Sequence, residues 1–135
     1  MPTTRTDRLE IRSSDDVVKV RQQTRVMAVE AGLSLVDQTK IITAASELAR
    51  NTLDYGGGGE LRLEVVEEIG RRGLRLTFED RGPGIADIQQ AMKDGFTSGS
   101  GLGLGLGGAK RLSNEFSIES QPGAGTKITI GRWKT

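Results

Sequence analysis

Two residue types are missing from this chain of 135 residues, and each absence removes a class of chemistry. Without cysteine there is no disulfide, no thiolate nucleophile and no cysteine-bound metal. Without histidine there is no phosphohistidine, no Ser-His-Asp triad and no imidazole ligand. Acid–base work therefore falls to Asp, Glu, Lys or Tyr. Charge of one sign is not concentrated either: 19 Lys and Arg face 18 Asp and Glu, for a net +1. That balance argues against a nucleic-acid partner. No apolar stretch is long enough to span a membrane, and Met1 to Arg12 lacks the apolar segment of a secretory signal. With 35% hydrophobic residues, the expectation is one cytoplasmic domain over residues 1–135 with a single core.

Glycine, by contrast, is abundant and clustered. Six of the ten residues from Gly99 to Gly108 are glycine. Glycine loses more conformational freedom on ordering than any other residue, so such a run needs a reason. The usual one is close approach of backbone N–H groups to anionic oxygens, most often phosphate. A helix-like segment, Ala109 to Ser113, follows directly.

Periodicity orders the rest. Leu9 and Ile11 alternate with polar neighbours in a short first strand. Ser14 or Asp15 then caps a helix with Val17, Val20, Thr24, Met27 and Ala31 at helical spacing, ending near Gly32. A second helix runs from about Leu35 to Tyr55, with Ile41, Ala45, Leu48 and Thr52 facing the core. Glu60 to Ile69 reads as a strand, Gly70 to Gly73 as a turn, and Leu74, Leu76 and Phe78 as the returning strand. Asp80 to Gly84 reads as a loop and Ile85 to Lys93 as a short helix. Phe116 and Ile118 mark a strand, Pro122 to Gly125 a turn, and Ile128 and Ile130 a final strand. This order predicts an α/β (α+β) two-layer sandwich, with helices on one face of a mixed, mainly antiparallel sheet.

Four positions along this framework carry chemistry. Glu47 and Asn51 are four apart on the second helix and project roughly 40° from one another. A carboxylate can act as a base, and an amide oxygen can ligate Mg²⁺, which takes few protein ligands. Alone, such a pair more often describes a solvated helix face. Asp80 ends a buried strand before Gly82 and Gly84, where a carboxylate can accept from an exocyclic amine such as that of adenine. Alone, the motif more often describes a plain turn. Thr126, after the turn closed by Gly125, can reach a ring nitrogen directly or through water. The glycine run is no P-loop, because Lys110 is followed by Arg111. Gly103, Gly105 and Gly108 spell a dinucleotide fingerprint, but no strand precedes them and no acidic residue follows at the required distance. A nicotinamide-dependent oxidoreductase is therefore disfavoured.

Taken together and in order, these pieces resemble the ATP-binding fold shared by gyrase, Hsp90, bidomain histidine kinases and MutL, the GHKL or Bergerat fold. Glu47 to Asn51, Asp80 to Gly84, the run through Gly107, and Gly123 to Thr126 look like its N, G1, G2 and G3 boxes. The resemblance implies that Glu47 is the general base and Asn51 the Mg²⁺ ligand. It places Asp80 at the adenine amine, with Gly82 and Gly84 in the same wall and Thr126 assisting. It makes Gly101, Gly103, Gly105 and Gly107 the phosphate-binding lid and helix start. Lys110 and Arg111 either add positive charge there or face solvent.

Histidine kinases of this fold usually carry Lys three residues after the metal-binding Asn; here that position is Asp54. The larger members add domains for which this chain is expected to have no room. The strings Ser46 to Asn51, Phe78 to Ile88, Lys93 to Phe96 and Gly107 to Leu112 resemble the small stand-alone serine/threonine kinases of bacterial partner-switching systems. That branch implies ATP and Mg²⁺ as cofactors and a STAS-domain scaffold or antagonist protein as phosphorylation substrate. It further implies a PP2C-type phosphatase activated on release, in a stress-signalling pathway. The alternative is a non-catalytic, ATP-responsive module that sequesters a partner in the manner of an anti-sigma factor.

Overall fold

The computed structural model describes residues 3–68, 70–85, 92 and 105–134. The chain runs β1 (Thr3–Ile11), α1 (Ser14–Glu30), α2 (Leu35–Asp54), β2 (Gly59–Glu68), β3 (Arg71–Asp80), α3 (Gly105–Arg111), β4 (Glu115–Ser120) and β5 (Thr126–Trp133). The strands form one sheet in the order β1-β2-β3-β5-β4. All four pairings are antiparallel, so the expected mixture of directions is not seen among the described strands. The β4–β5 hairpin inserts with β5 beside β3, which leaves β4 at one edge and β1 at the other.

One face of the sheet is apolar at every second residue: Leu61, Leu63 and Val65 on β2, Leu74, Leu76 and Phe78 on β3, Ile128 and Ile130 on β5. Period-two alternation puts these on a single side, and α1 and α2 cover it. α1 contributes Val17, Val20, Met27 and Ala28; α2 contributes Ile41, Ala44, Ala45, Leu48 and Ala49. The alanines of α2 let its backbone lie close to its neighbours while keeping high helix propensity. The opposite face carries charge across the strands, as in Arg75 with Glu115 at 2.7 Å and Arg8 with Glu60 at 3.3 Å. Trp133 on that face covers Gly73, where any side chain would collide with the indole. The Arg71 guanidinium sits 3.7 Å from the indole ring centroid.

Four boundaries depart from expectation. Strand β1 is not short: it reaches back to Thr3 because its polar N-terminal half pairs along β2. The cap of α1 is Ser13, not Ser14 or Asp15, because the Asp16 carboxylate reaches back to accept from the N–H groups of Ser13 and Arg12 at 3.2 and 2.8 Å. Strand β3 begins at Arg71, so Arg71 and Arg72 are not turn residues. They stand opposite Glu68 and Glu67 and pair with them, and opposite charges draw the hairpin tight. Helix α3 starts at Gly105, inside the glycine run, rather than at Ala109. The expected helix Ile85 to Lys93 lies almost wholly outside the described residues; Ile85 itself belongs to a loop. Among the described residues no helix is long and apolar enough to cross a membrane.

One buried ion pair ties the two layers together. The Asp37 carboxylate, in the first turn of α2, accepts from Arg132 Nε at 2.9 Å and lies 2.8 Å from Nη2. Both side chains are nearly dry, at 6% and 11% exposure, and Arg132 Nη1 also donates to the Leu112 carbonyl at 3.2 Å. Removing one partner leaves an uncompensated charge in a desolvated site. Asp37→Ala is expected to lower the free energy of unfolding in urea by about 3 kcal/mol. Replacing both residues by apolar ones should recover part of that loss, and a single variant of wild-type stability would rule the pin out.

Candidate functional site

The site is built where the end of α2 meets the ends of β3 and β5. Ser34 opens α2 by accepting from the Asp37 N–H at 3.1 Å, and the helix runs without interruption to Asp54. Glu47 and Asn51 sit in its second half, to one side of the apolar stripe formed by Ile41, Ala44 and Leu48. Glu47 is 2% exposed, which is unusual for a glutamate, whereas Asn51 one turn on is half-buried. The α2 face that carries them thus combines a dry carboxylate with an accessible amide. A solvated helix face does not describe this pair.

Beyond Tyr55, the Gly56 and Gly58 N–H groups return to the Thr52 carbonyl at 3.1 and 3.0 Å. Gly56 then lies directly against Asp80: a Cβ added there would stand 2.6 Å from the Asp80 Cβ and 2.7 Å from Oδ2. Gly82 presses on Gly56 in turn, 2.6 Å from any added Cβ to the Gly56 Cα. The end of α2 and the loop after β3 therefore touch through glycines, which brings the helix that bears Glu47 and Asn51 up to Asp80.

Asp80 ends β3 on the helix-facing side, opposite Thr126 of β5, and Thr126 is opposite Ser120 of β4. Three polar side chains thus form one cross-strand row. The Asp80 carboxylate accepts from the Gly82 N–H at 2.9 Å, and the nearby Thr126 N–H also favours its charged form. Burial raises its pKa above the usual carboxylate value, and these two N–H groups offset part of that rise. Gly84, at φ +78°, lets the loop pass against the Gln121 carbonyl, and Gly125, at φ +83°, lets the hairpin pass against the Asp80 carbonyl. The Gly123 N–H donates to the Pro83 carbonyl at 2.6 Å and the Ile85 N–H to Ser120 Oγ at 2.7 Å. Next to this brace lies an open cleft of about 520 Å³, lined by Asp80, Ile118, Ser120, Gln121, Gly125 and Thr126 among others.

The structure therefore brings Asp80, Gly82, Gly84 and Thr126 into one cluster and joins it to the α2 terminus. Gly105 and Gly107 are buried in α3, which packs on α2. Lys110 is exposed at the end of α3, as is Arg111. Gly101 and Gly103 lie outside the described residues. Two participants carried no signal strong enough to single them out in the sequence. Gly56 stood among four consecutive glycines that read as a helix stop, and Ser120 as the last polar residue of a strand.

With this geometry in hand, comparison with known proteins gives a consistent result. Residues 36–135 match the family of histidine kinase-, DNA gyrase B-, and HSP90-like ATPases. The serine/threonine-protein kinase RsbT of Bacillus subtilis (strain 168) is 49% identical over 118 residues, covering 87% of this chain and 89% of that protein. An anti-sigma F factor of Clostridium novyi (strain NT) is 32% identical, over 77% of this chain and 80% of its own length. Among solved structures, the RsbU and RsbW domains of a Mycobacterium tuberculosis protein superpose with a TM-score of 0.67 at 21% identity. That alignment covers 98% of this chain and 34% of the mycobacterial one, and it speaks to the fold alone. The chain belongs to the histidine kinase-, gyrase B- and HSP90-like ATPase family. Within that family it is an RsbT-like serine/threonine-protein kinase.

The raised pKa of Asp80 has a definite sign in stability. Its native carboxyl keeps its proton to higher pH than the unfolded one, so the native state binds more protons between the two values. Stability falls as pH rises through that window and is level above it. Asp80→Asn removes the titration. Thermal unfolding of the nucleotide-free protein should show the variant gaining on wild type as pH rises from the ordinary aspartate value of 3.8, and running parallel to it thereafter. A gap that does not change with pH would contradict the assignment.

Proposed function

We propose that this chain transfers the γ-phosphoryl group of ATP to a Ser or Thr hydroxyl of a STAS-domain scaffold or antagonist protein. Once released from that substrate it binds and activates a PP2C-type phosphatase, as a switch in a bacterial stress-signalling pathway. The observation that carries this reading is the buried Glu47 held one turn from Asn51 on a helix whose end abuts Asp80. Phosphoryl transfer asks little covalent chemistry of a protein and depends on positioning and charge neutralisation.

Asp80, an acceptor oriented by the Gly82 N–H, takes the exocyclic amine of adenine. Thr126 assists at the ring, and Gly82 and Gly84 form a wall free of side chains. Gly101, Gly103, Gly105 and Gly107 bring backbone N–H groups to the phosphates. Glu47 takes or orients the proton of the attacking hydroxyl. Among the described residues no cluster of three or more Asp, Glu, His or Cys is placed to hold a metal. Mg²⁺ needs no such cage where nucleotide phosphates and water supply the other oxygens, and the half-buried amide of Asn51 fits that donor set. When bound, the ion would neutralise phosphate charge.

A second reading is an ATP-responsive module that sequesters a partner without phosphorylating it. The anti-sigma F factor relatives favour it. Labelled γ-phosphate supplied with the STAS-domain partner separates the two, since only the kinase deposits label on the partner. Glu47→Ala is expected to bind ATP normally and to lose about 100-fold or more in transfer. Transfer at the wild-type rate would remove Glu47 as the base. Asp80→Asn should weaken ATP binding about 10-fold or more, and unchanged affinity would take Asp80 out of the adenine site.

A further inference from the structure

Ser120 does more than end a strand. Its hydroxyl oxygen accepts from the Ile85 N–H at 2.7 Å, lies 3.1 Å from the Gly125 carbonyl, and lies 2.8 Å from Thr126 Oγ1. One oxygen thus meets a donor, an acceptor, and a hydroxyl that can be either. A serine hydroxyl has a single proton and two lone pairs. The Ile85 N–H occupies one lone pair, and the Gly125 carbonyl can only accept. Two arrangements remain. In the first, Ser120 donates to Gly125 and Thr126 donates to Ser120. In the second, Ser120 donates to Thr126, and the Thr126 proton is released toward the cleft.

We propose that Ser120 is a positioning residue for the nucleotide base, acting through Thr126. It holds the Thr126 hydroxyl in register beside Asp80 and turns its own proton to Thr126 when Thr126 donates to a ring nitrogen. Ser120, Thr126 and Asp80 occupy adjacent positions on β4, β5 and β3, so the relay is built into the strand register. Thr126 is 9% exposed, and a hydroxyl so buried is costly to leave unsatisfied. With Ser120 beside it, Thr126 keeps a partner whether or not a base is bound. Both states of the pocket are then satisfied by rotating two O–H bonds. This inference rests on the assignment of Asp80 and Thr126 to the adenine site.

The test is a double-mutant cycle on ATP affinity, measured by calorimetry, with Ser120→Ala, Thr126→Val and the pair. Ser120→Ala is expected to weaken ATP binding about 5- to 10-fold. It should weaken it no further in the Thr126→Val background, because the partner it acts through is gone. Ser120→Thr, which keeps a hydroxyl, should restore most of the affinity and serves if the alanine variant folds poorly. A purely structural brace on Ile85 would instead give losses that multiply in the double variant, and that result overturns the proposal. So does wild-type affinity in Ser120→Ala while Thr126→Val is impaired. Asp80→Asn is measured alongside. If it binds ATP as wild type does, the adenine-site assignment itself fails, an outcome distinct from failure of the relay alone.

Discussion

Two loops can approach one another closely only if neither brings side chains, and the rest of the site depends on that condition. The segment from Asp80 to Ile85 and the hairpin from Gln121 to Thr126 lie backbone to backbone. At Gly84 and Gly125 a methyl group would collide with carbonyl oxygens, and both φ angles lie in the left-handed region. The contact sets the depth at which the Asp80 carboxylate sits and brings the Thr126 N–H near it. It also fixes the end of β3 relative to β4, and so the row of polar side chains along the cleft.

The second component is a rigid rod. Helix α2 is well packed along one stripe and carries Glu47 and Asn51 beside that stripe rather than opposite it. Burial of Glu47 follows from that placement. A carboxylate taken out of water interacts more strongly with whatever charge or dipole enters its surroundings, because less solvent screens it. The glycines after the helix then let its terminus meet Asp80 without an intervening side chain. The rod and the brace form one unit, although they are separated by a strand pair in the chain.

Much of this arrangement is legible in the sequence, for identifiable reasons. The strands announce themselves because one face is apolar and the other charged, so Leu74, Leu76 and Phe78 read correctly as an inward row. The site motifs are legible because several types with narrow chemistry recur in a fixed order, each weak alone. What escapes notice depends on long-range partners. Asp37 and Arg132 are ordinary polar residues until α2 lies across β5. Ser120 looks like any strand-end serine until the register sets it opposite Thr126. Arg71 and Arg72 read as turn residues because glycines flank them, and cross-strand glutamates override that signal. The start of α3 is hidden because glycine is a poor helix former, and only burial against α2 makes a helix of Gly105 to Gly108.

The Asp37–Arg132 pair has a bearing on how this protein can vary. It anchors α2 at its first turn, while Glu47 and Asn51 stand about three and four turns away on the same helix. The helix therefore works as a ruler with one end nailed down. Each residue inserted or deleted between the anchor and the site would swing everything beyond it by about 100° and shift it by about 1.5 Å. Loops elsewhere in the molecule can absorb a change of length, but this stretch has no slack. Variation between Asp37 and Glu47 is confined to exchanging side chains, and the residue count across it is a dimension of the site itself.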